Sequence, residues 1–441
     1  MSEKKSTWRF PPVFWVANGA ELFERAAYYG MFITLTLYLT REVGFTDIET
    51  GWVVAVFAAG LYLLPTFCGA LADKLTFRTS LIIAFSLLAL GYAFLGFWQL
   101  KSTALISLGL VLVGGSFVKP VITGTTAMCS DEHNRARAFS IFYMMVNIGS
   151  FTGKTFAKPL RTELGLQYIN YYSALMAVCA LILILFLYKN PDTKGEGKKI
   201  SEMARGLWTV MQNVRFMILI LIVAGFWAIQ GQLYATMPKY MLRMVGEGAS
   251  PEWLANINPL VVVSCVVLVT HIVRAWKPIS SIGVGLGLIP FTALIIALAP
   301  YLEARTGPEI AVFGDLTIHP ITLMAIVGIG LQGLSECFLS LKFLEFASRQ
   351  APPGEVGLYM GYSHLTTFFA WLFGFAISGY LLDAYCPDPE KIPTGMHEQA
   401  YAHAHYIWYI YAGIGVAAFI AMLIFKQITN TIDRRKKKDS E

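Results

Sequence analysis

Residues 190–213 read NPDTKGEGKKISEMARGLWTVMQN, the one long polar connection in a chain of 441 residues. What flanks it is apolar in blocks. The hydrocarbon core of a bilayer takes about 20 apolar residues per helix. Stretches of that kind fall at 12–39, 50–72, 79–100, 102–130, 138–160 and 168–189 before the connection, and at 214–241, 253–273, 279–300, 318–348, 356–384 and 402–426 after it. The expectation is an all-α membrane protein with twelve transmembrane helices in two six-helix halves. Residues 1–189 form the N-terminal half, 190–213 a cytoplasmic linker, 214–426 the C-terminal half and 427–441 a basic tail.

Composition supports this class. The chain is 56% hydrophobic and 14% charged, whereas a soluble domain carries about 25% charged residues. The net charge of +6 reads as loop orientation and not as a nucleic-acid partner. Cys68, Cys179, Cys265 and Cys337 lie inside apolar runs, with no CxxC and no Cys/His pairing. They read as small buried hydrophobes, so no disulfide, metal or cofactor is expected. The start, MSEKKSTWRF, is polar and basic, and is expected to carry no signal peptide. With the N-terminus inside, the inner segments hold roughly three times as many Lys and Arg as the outer ones, which places both termini in the cytoplasm. A multi-pass protein of the cell (inner) membrane, partnered by the lipid bilayer and functional as a monomer, is expected.

Charges inside the spans are the next signal, because an ionisable residue deep in a membrane is costly and therefore a functional candidate. At about 1.5 Å per residue, Glu24 lies about 18 Å from the inner end of span one, Lys119 about 16 Å from that of span four, Asn147 about 14 Å and Glu336 about 18 Å. Half of a ~30 Å core is ~15 Å, so four helices bring polar groups to one level, where a transporter's site is expected. On span one, Glu21, Glu24, Arg25, Tyr28 and Phe32 recur at the spacing of one helical face. Two carboxylates and one Arg leave a negative excess, and Lys119 is the natural partner. Such a cluster can hold or release a proton near neutral pH; the plainer reading is a static buried ion-pair network. Lys154 and Lys158, towards the outer end of span five, read as snorkelling to the interface. Lys342, Glu345 and Arg349 read as a local pairing at the inner end of span ten.

The run Glu21-Leu-Phe-Glu24-Arg25-Ala-Ala-Tyr28-Tyr29-Gly30 resembles the ExxER-F-x-YYG motif of the proton-coupled oligopeptide transporters, the POT family, within the major facilitator superfamily. Gly115-Ser-Phe-Val-Lys119-Pro120, Asp131-Glu132-His133, Phe139-Ser-Ile-Phe142-Tyr143-Met-Met-Val-Asn147-Ile-Gly149-Ser150 and Ser335-Glu336-Cys-Phe-Leu-Ser340 are similar to further motifs of that family. Ala351-Pro-Pro and Met360-Gly361 extend the likeness more thinly. Gly69-Ala-Leu-Ala72-Asp73-Lys74 with Arg78 resembles the gating loop between spans two and three of major facilitators. The resemblance implies the major facilitator fold and symport of a small peptide or related carboxylate-bearing solute with protons, by alternating access. It implies that Glu21, Glu24, Arg25 and Lys119 couple protons. It implies that Tyr29, Tyr62, Lys119, Asn147, Trp227, Gln232 and Glu336 bind substrate, Lys119 and Arg25 facing a carboxylate and Glu336 an amine.

The chain departs from the family's pattern at several points. The family's second Arg of span one is Phe32, the acid of its span-seven run is Gly231 and the Asn after Lys-Pro is Val121. The Phe after ExxER is Ala26, the span-ten Ser-Pro step is Ser340-Leu341, and two extra helices that many bacterial members carry between the halves are lacking. These changes favour a solute with one carboxylate and a larger apolar portion over a plain dipeptide. Alternatives are an exporter or uniporter of a non-peptide solute and a non-transporting receptor. An enzyme is not expected, because no HExxH, GxSxG or metal-ligand set lies in the spans.

Overall fold

The computed structural model describes residues 9–131, 133–189, 200–313, 316–351 and 356–438. The chain divides into two compact units, Met1–Arg205 and Gly206–Glu441. The boundary lies inside the 190–213 segment, whose residues 190–199 are outside the described residues, as is Glu132.

The first unit is built of α1 (Pro12–Arg41), α2 (Asp47–Lys74), α3 (Phe77–Phe97), α4 (Lys101–Met128), α5 (Arg135–Pro159) and α6 (Leu166–Leu187). Helix α1 packs on α5 and α6, α3 on α4 and α6, and α2 on α4. Starts are set locally. Pro12 opens α1, where its missing N–H costs nothing. Thr46 and Glu49 close a reciprocal capping box on α2, and Thr76 caps α3. A π-helical turn, Leu160–Leu164, ends α5.

The α1–α5 seam decides where the site sits. A Cβ on Gly149 would lie 2.4 Å from the Leu22 carbonyl oxygen, and one on Gly153 would lie 2.3 Å from that of Ala26. Both distances are shorter than any side chain tolerates. Only glycine allows the backbones this close, and the approach fixes the register of the Glu21–Tyr29 stretch against α5. Ser173 Oγ on α6 holds the other side, donating to the Ala27 carbonyl at 2.8 Å.

Helix α7 (Ile200–Gln212) occupies the part of the connection expected to be simply polar. Met203, Gly206, Leu207 and Val210 make its inner stripe, while Trp208 and Met211 stay exposed. The second unit continues with α8 (Val214–Gln230), α9 (Gln232–Ala235), α10 (Met237–Met244), α11 (Pro251–Leu254), α12 (Ile257–Val273), α13 (Pro278–Ala297) and α14 (Ala299–Thr306). After β1 (Ile310–Phe313) and β2 (Leu316–Ile318) come α15 (Pro320–Gln350), α16 (Val356–Tyr362), α17 (Leu365–Tyr385), α18 (His397–Tyr401) and α19 (Tyr406–Lys438). Helix α15 packs on α12 and α13, α13 on α19, and α8 on α17 and α19.

Three expectations are corrected. The span at 214–241 is not one helix: it breaks at Gly231 and again before Met237, where Pro238 supplies no N–H. Gly231 lies against α17, since a Cβ there would come within 3.3 Å of Trp371 Nε1. The chain is not purely helical either, because β1 and β2 pair antiparallel with Ile310 opposite Ile318. Of the four cysteines read as buried, only Cys337 is; Cys68, Cys179 and Cys265 are half-buried.

Among the described residues, ten helices are long and apolar enough to cross a membrane. Helices α1 and α5, of 30 and 25 residues, are long enough but fall outside that set. Glu21, Glu24 and Arg25 interrupt the first; Arg135, Arg137, Lys154 and Lys158 interrupt the second.

Candidate functional site

The first unit encloses a cavity of about 200 Å³ walled by α1 to α5. Glu21, Glu24, Arg25 and Tyr29 reach it from α1, Tyr62 from α2 and Lys119 from α4. Six residues singled out in the sequence thus meet in one place. Asn147 is not among the lining residues; its amide donates to the Tyr143 carbonyl at 2.8 Å.

Within the cavity wall one guanidinium serves two carboxylates. Arg25 Nε lies 3.2 Å from Glu21 Oε1 and also donates to Glu24 Oε2. Both carboxylates are buried. Glu21 Oε2 is enclosed and takes no hydrogen bond from any described residue. The guanidinium also lies 5.3 Å from the Tyr28 ring centroid and 6.0 Å from that of Tyr29, within cation–π range. Phe32 is buried and stacks on Tyr28 with centroids 5.0 Å apart.

Lys119 behaves differently from the expectation. It is exposed on the cavity wall, close enough to act on Glu21 and Glu24 through charge, yet it forms no ion pair among the described residues. Among the described residues Arg25 is the cation in ion-pair contact with both acids, and Lys119 stands beside them on the cavity wall.

Lys154 also corrects the reading. It is 1% exposed, one of the largest fully buried side chains, with Nζ 5.5 Å from the Tyr29 centroid. It does not snorkel: the Gly149–Gly153 seam draws this face of α5 inward against α1.

In the second unit Glu336 on α15 is half-buried and accepts from two amides. Gln230 Nε2 and Asn258 Nδ2 both donate to its Oε2, each at 3.4 Å. No cation pairs with it among the described residues. Trp227 is half-buried, edge-on to Phe226. Gln232 is placed differently from the expectation. It is buried, its Nε2 donates to the Ala228 and Gly374 carbonyls, and its Oε1 accepts from Thr236, so its amide ties α9 to α17. Lys342 and Arg349 both pair with Glu345, the local arrangement expected.

The side chain of Asp73 lies outside the described residues. Lys74, in the last turn of α2, is exposed, and Arg78 Nη2 donates to the Leu185 carbonyl near the end of α6 at 2.7 Å. Tyr92 on α3 went unnoticed in the sequence. It lines the cavity and is fully buried, but a lone Tyr in an apolar span gives no charge signal to follow.

Two helical units with acids and cations buried inside long apolar helices define a polytopic membrane protein. The Major Facilitator Superfamily model matches residues 19–314, and the chain belongs to that superfamily. It is similar to dipeptide and tripeptide permease A of Erwinia pyrifoliae, 27% identical over 241 residues covering 53% of this chain and 47% of that protein. It is also similar to dipeptide and tripeptide permease B of Aliivibrio fischeri, 28% identical over 192 residues covering 43% and 38%. The chain therefore spans less than half the length of these curated relatives. In fold it is similar to a crystal structure of an autoinhibited POT family peptide transporter, at 17% identity, TM-score 0.73, and 95% and 97% coverage. It is likewise similar to the peptide transporter POT in complex with sulfate, at 19% identity, TM-score 0.72, and 96% and 95% coverage.

Proposed function

We propose that this chain is a proton-coupled symporter of a small peptide or related carboxylate-bearing solute, working by alternating access as a monomer in the cell (inner) membrane. On this reading α1 and α5 also span, giving twelve helices with both termini cytoplasmic and protons as the coupling ion.

The observation that carries the reading is the division of labour in the first-unit cavity. Arg25 holds Glu21 and Glu24, Glu21 keeps one enclosed oxygen unpartnered, and Lys119 faces the cavity without an ion pair among the described residues. A static network would satisfy every buried oxygen, because an unsatisfied buried acceptor is costly. One oxygen able to take a proton and one cation able to take a carboxylate are what symport requires. The second unit supplies Glu336, held by amides and not by a cation, which suits a solute amine. The permease names of the relatives support the substrate class. Phe32, buried where the family carries Arg, supports a solute with a larger apolar portion.

Uptake into reconstituted vesicles tests this. The parent chain should concentrate substrate under an inward proton gradient, with aromatic dipeptides competing better than dialanine. Glu21→Gln should lose accumulation while keeping exchange. A Glu21→Gln variant that still concentrates substrate places the carrier elsewhere, and competition led by dialanine removes the apolar-portion argument.

A further inference from the structure

Helix α7 carries more apolar surface than its packing uses. The 3.6-residue turn gives it three sides. Met203, Gly206, Leu207 and Val210 share the first, Ala204, Trp208 and Met211 the second, and Ser201, Arg205 and Gln212 the third. The first side is seated on the second unit. Val210 is fully buried, the Leu207 backbone meets the Tyr362 phenol, and Asn213, just past the helix, donates its amide to the Tyr359 hydroxyl at 3.1 Å. The third side is polar and exposed. The second is apolar and exposed as well: Trp208 stands 63% open and Met211 45%. A helix on a water-facing surface carries polar residues wherever its core does not cover it, so an exposed Trp and Met in line mark a contact with something else.

The level of α7 says what that is. Its last residue, Gln212, stands two positions before Val214, where a stretch long and apolar enough to cross a membrane begins. Tyr359 begins another such stretch. Tyr362 lies further into that stretch than Tyr359, yet it is the residue that meets Leu207, in the middle of α7. The middle of α7 is therefore held at the level where two spans enter the bilayer, and the helix does not project away from it. The apolar stripe also continues into α8, where Val214, Ile218 and Leu221 are exposed, a face that meets lipid in a spanning helix. Cations flank it in the sequence: Lys198 and Lys199 precede α7, Arg205 stands three residues before Trp208, and Arg215 follows. Positive charge at this level suits the anionic headgroups of a lipid leaflet.

We propose that α7 is an interfacial helix, with its Ala204–Trp208–Met211 side sunk into the headgroup–acyl boundary of the bilayer. That the leaflet is the inner one rests on the orientation proposed above. Trp favours this depth because its ring is apolar in the body and polar at the N–H, and Met adapts to irregular apolar surroundings. A helix with Arg on its polar side and Trp on its apolar side lies in the interface plane. Here one further side is fixed to the second unit, so the helix joins that unit's rim to the lipid.

The test is fluorescence quenching in vesicles of phosphatidylcholine and phosphatidylglycerol. Their acyl chains carry bromine, which quenches Trp emission, either near the headgroup or near the chain end. The chain has ten Trp, so the emission of Trp208 is taken as the difference between the parent and Trp208→Phe. The substitution lies on an exposed side and should leave the melting temperature unchanged. For a helix sunk about 5–10 Å into the boundary, bromine near the headgroup should remove about half or more of that difference. Bromine near the chain end should remove much less, and acrylamide in the water little. Strong quenching by acrylamide with none by bromine puts this side in water and overturns the proposal. A difference emission that neither quencher reaches shows that protein, the first unit or a second copy of the chain, covers Trp208, and overturns it equally. Quenching by bromine near the headgroup, with Ser201→Cys labelled from outside intact cells, keeps the lipid surface and overturns the orientation alone.

Discussion

Arg25 has one guanidinium and two buried carboxylates to hold, and neither acid has another cation paired with it among the described residues. That makes Arg25 the residue on which the cluster depends. Arg25→Met keeps an unbranched apolar stem, deletes the guanidinium and its charge, and leaves two acids to repel one another in a buried wall. The expected cost is about 3–5 kcal/mol, the penalty for breaking a buried pair from one side. Thermal unfolding in detergent should show it as a lower Tm at neutral pH. The gap should narrow in acid, where protonated carboxyls no longer need a counter-cation; a loss that stays constant down to low pH argues against charge as its cause. This cluster was legible in the sequence because Glu21, Glu24 and Arg25 share a helical face and charge in an apolar run is conspicuous. The place of Tyr92 in the cavity wall was not, because a lone Tyr in an apolar span reads the same as a packing tyrosine. Lys154 was misread for a related reason: position along a helix gives depth, whereas burial depends on which way the face turns.

Helix α5 earns its place beside α1 through two glycines one turn apart. Filling that seam moves backbone against backbone, for which no rotamer offers relief. Gly153→Val should destabilise the fold by at least about 1–3 kcal/mol, the usual range for overpacking, whereas Gly109→Ala on α4, where nothing lies within 4 Å of the added carbon, should not. Equal melting temperatures for Gly153→Val and the parent would show that the two helices separate without cost. Other elements were harder to read. Helix α7 lies in a segment whose overall polarity hides the Met203, Gly206, Leu207 and Val210 stripe, a spacing that could have exposed it. The break at Gly231 needed knowledge of Trp371, 140 positions further on in the numbering, and the amide of Gln232 is taken up by a carbonyl of the same distant helix.

For the whole molecule, the polar connection at 190–213 is the sequence feature that suggests two halves, because the other connections between apolar blocks, the longest at 301–317 and 385–401, are shorter. The proposed orientation can be checked there. Ser201 lies at the start of α7 and is exposed. Ser201→Cys should gain reaction with a membrane-impermeant thiol reagent, relative to the parent with its six cysteines, only after the inner face is opened. Labelling from outside intact cells would invert every orientation proposed above.

The seam between α1 and α5 also bears on how the chain is made. On the proposed topology, the two helices that fall short of a membrane span by composition are the two that interlock. Charged side chains at mid-helix each oppose insertion by about 2.5–3.5 kcal/mol, so α1 emerges from the ribosome as a poor guest for the lipid. The start of α5 follows more than a hundred residues later, and at about 5–20 residues per second synthesis takes on the order of ten seconds to reach it. Until then α1 lacks the α5 face that closes over Glu21, Glu24 and Arg25. The residues that fit this protein for its proposed work are thus the ones that delay its assembly.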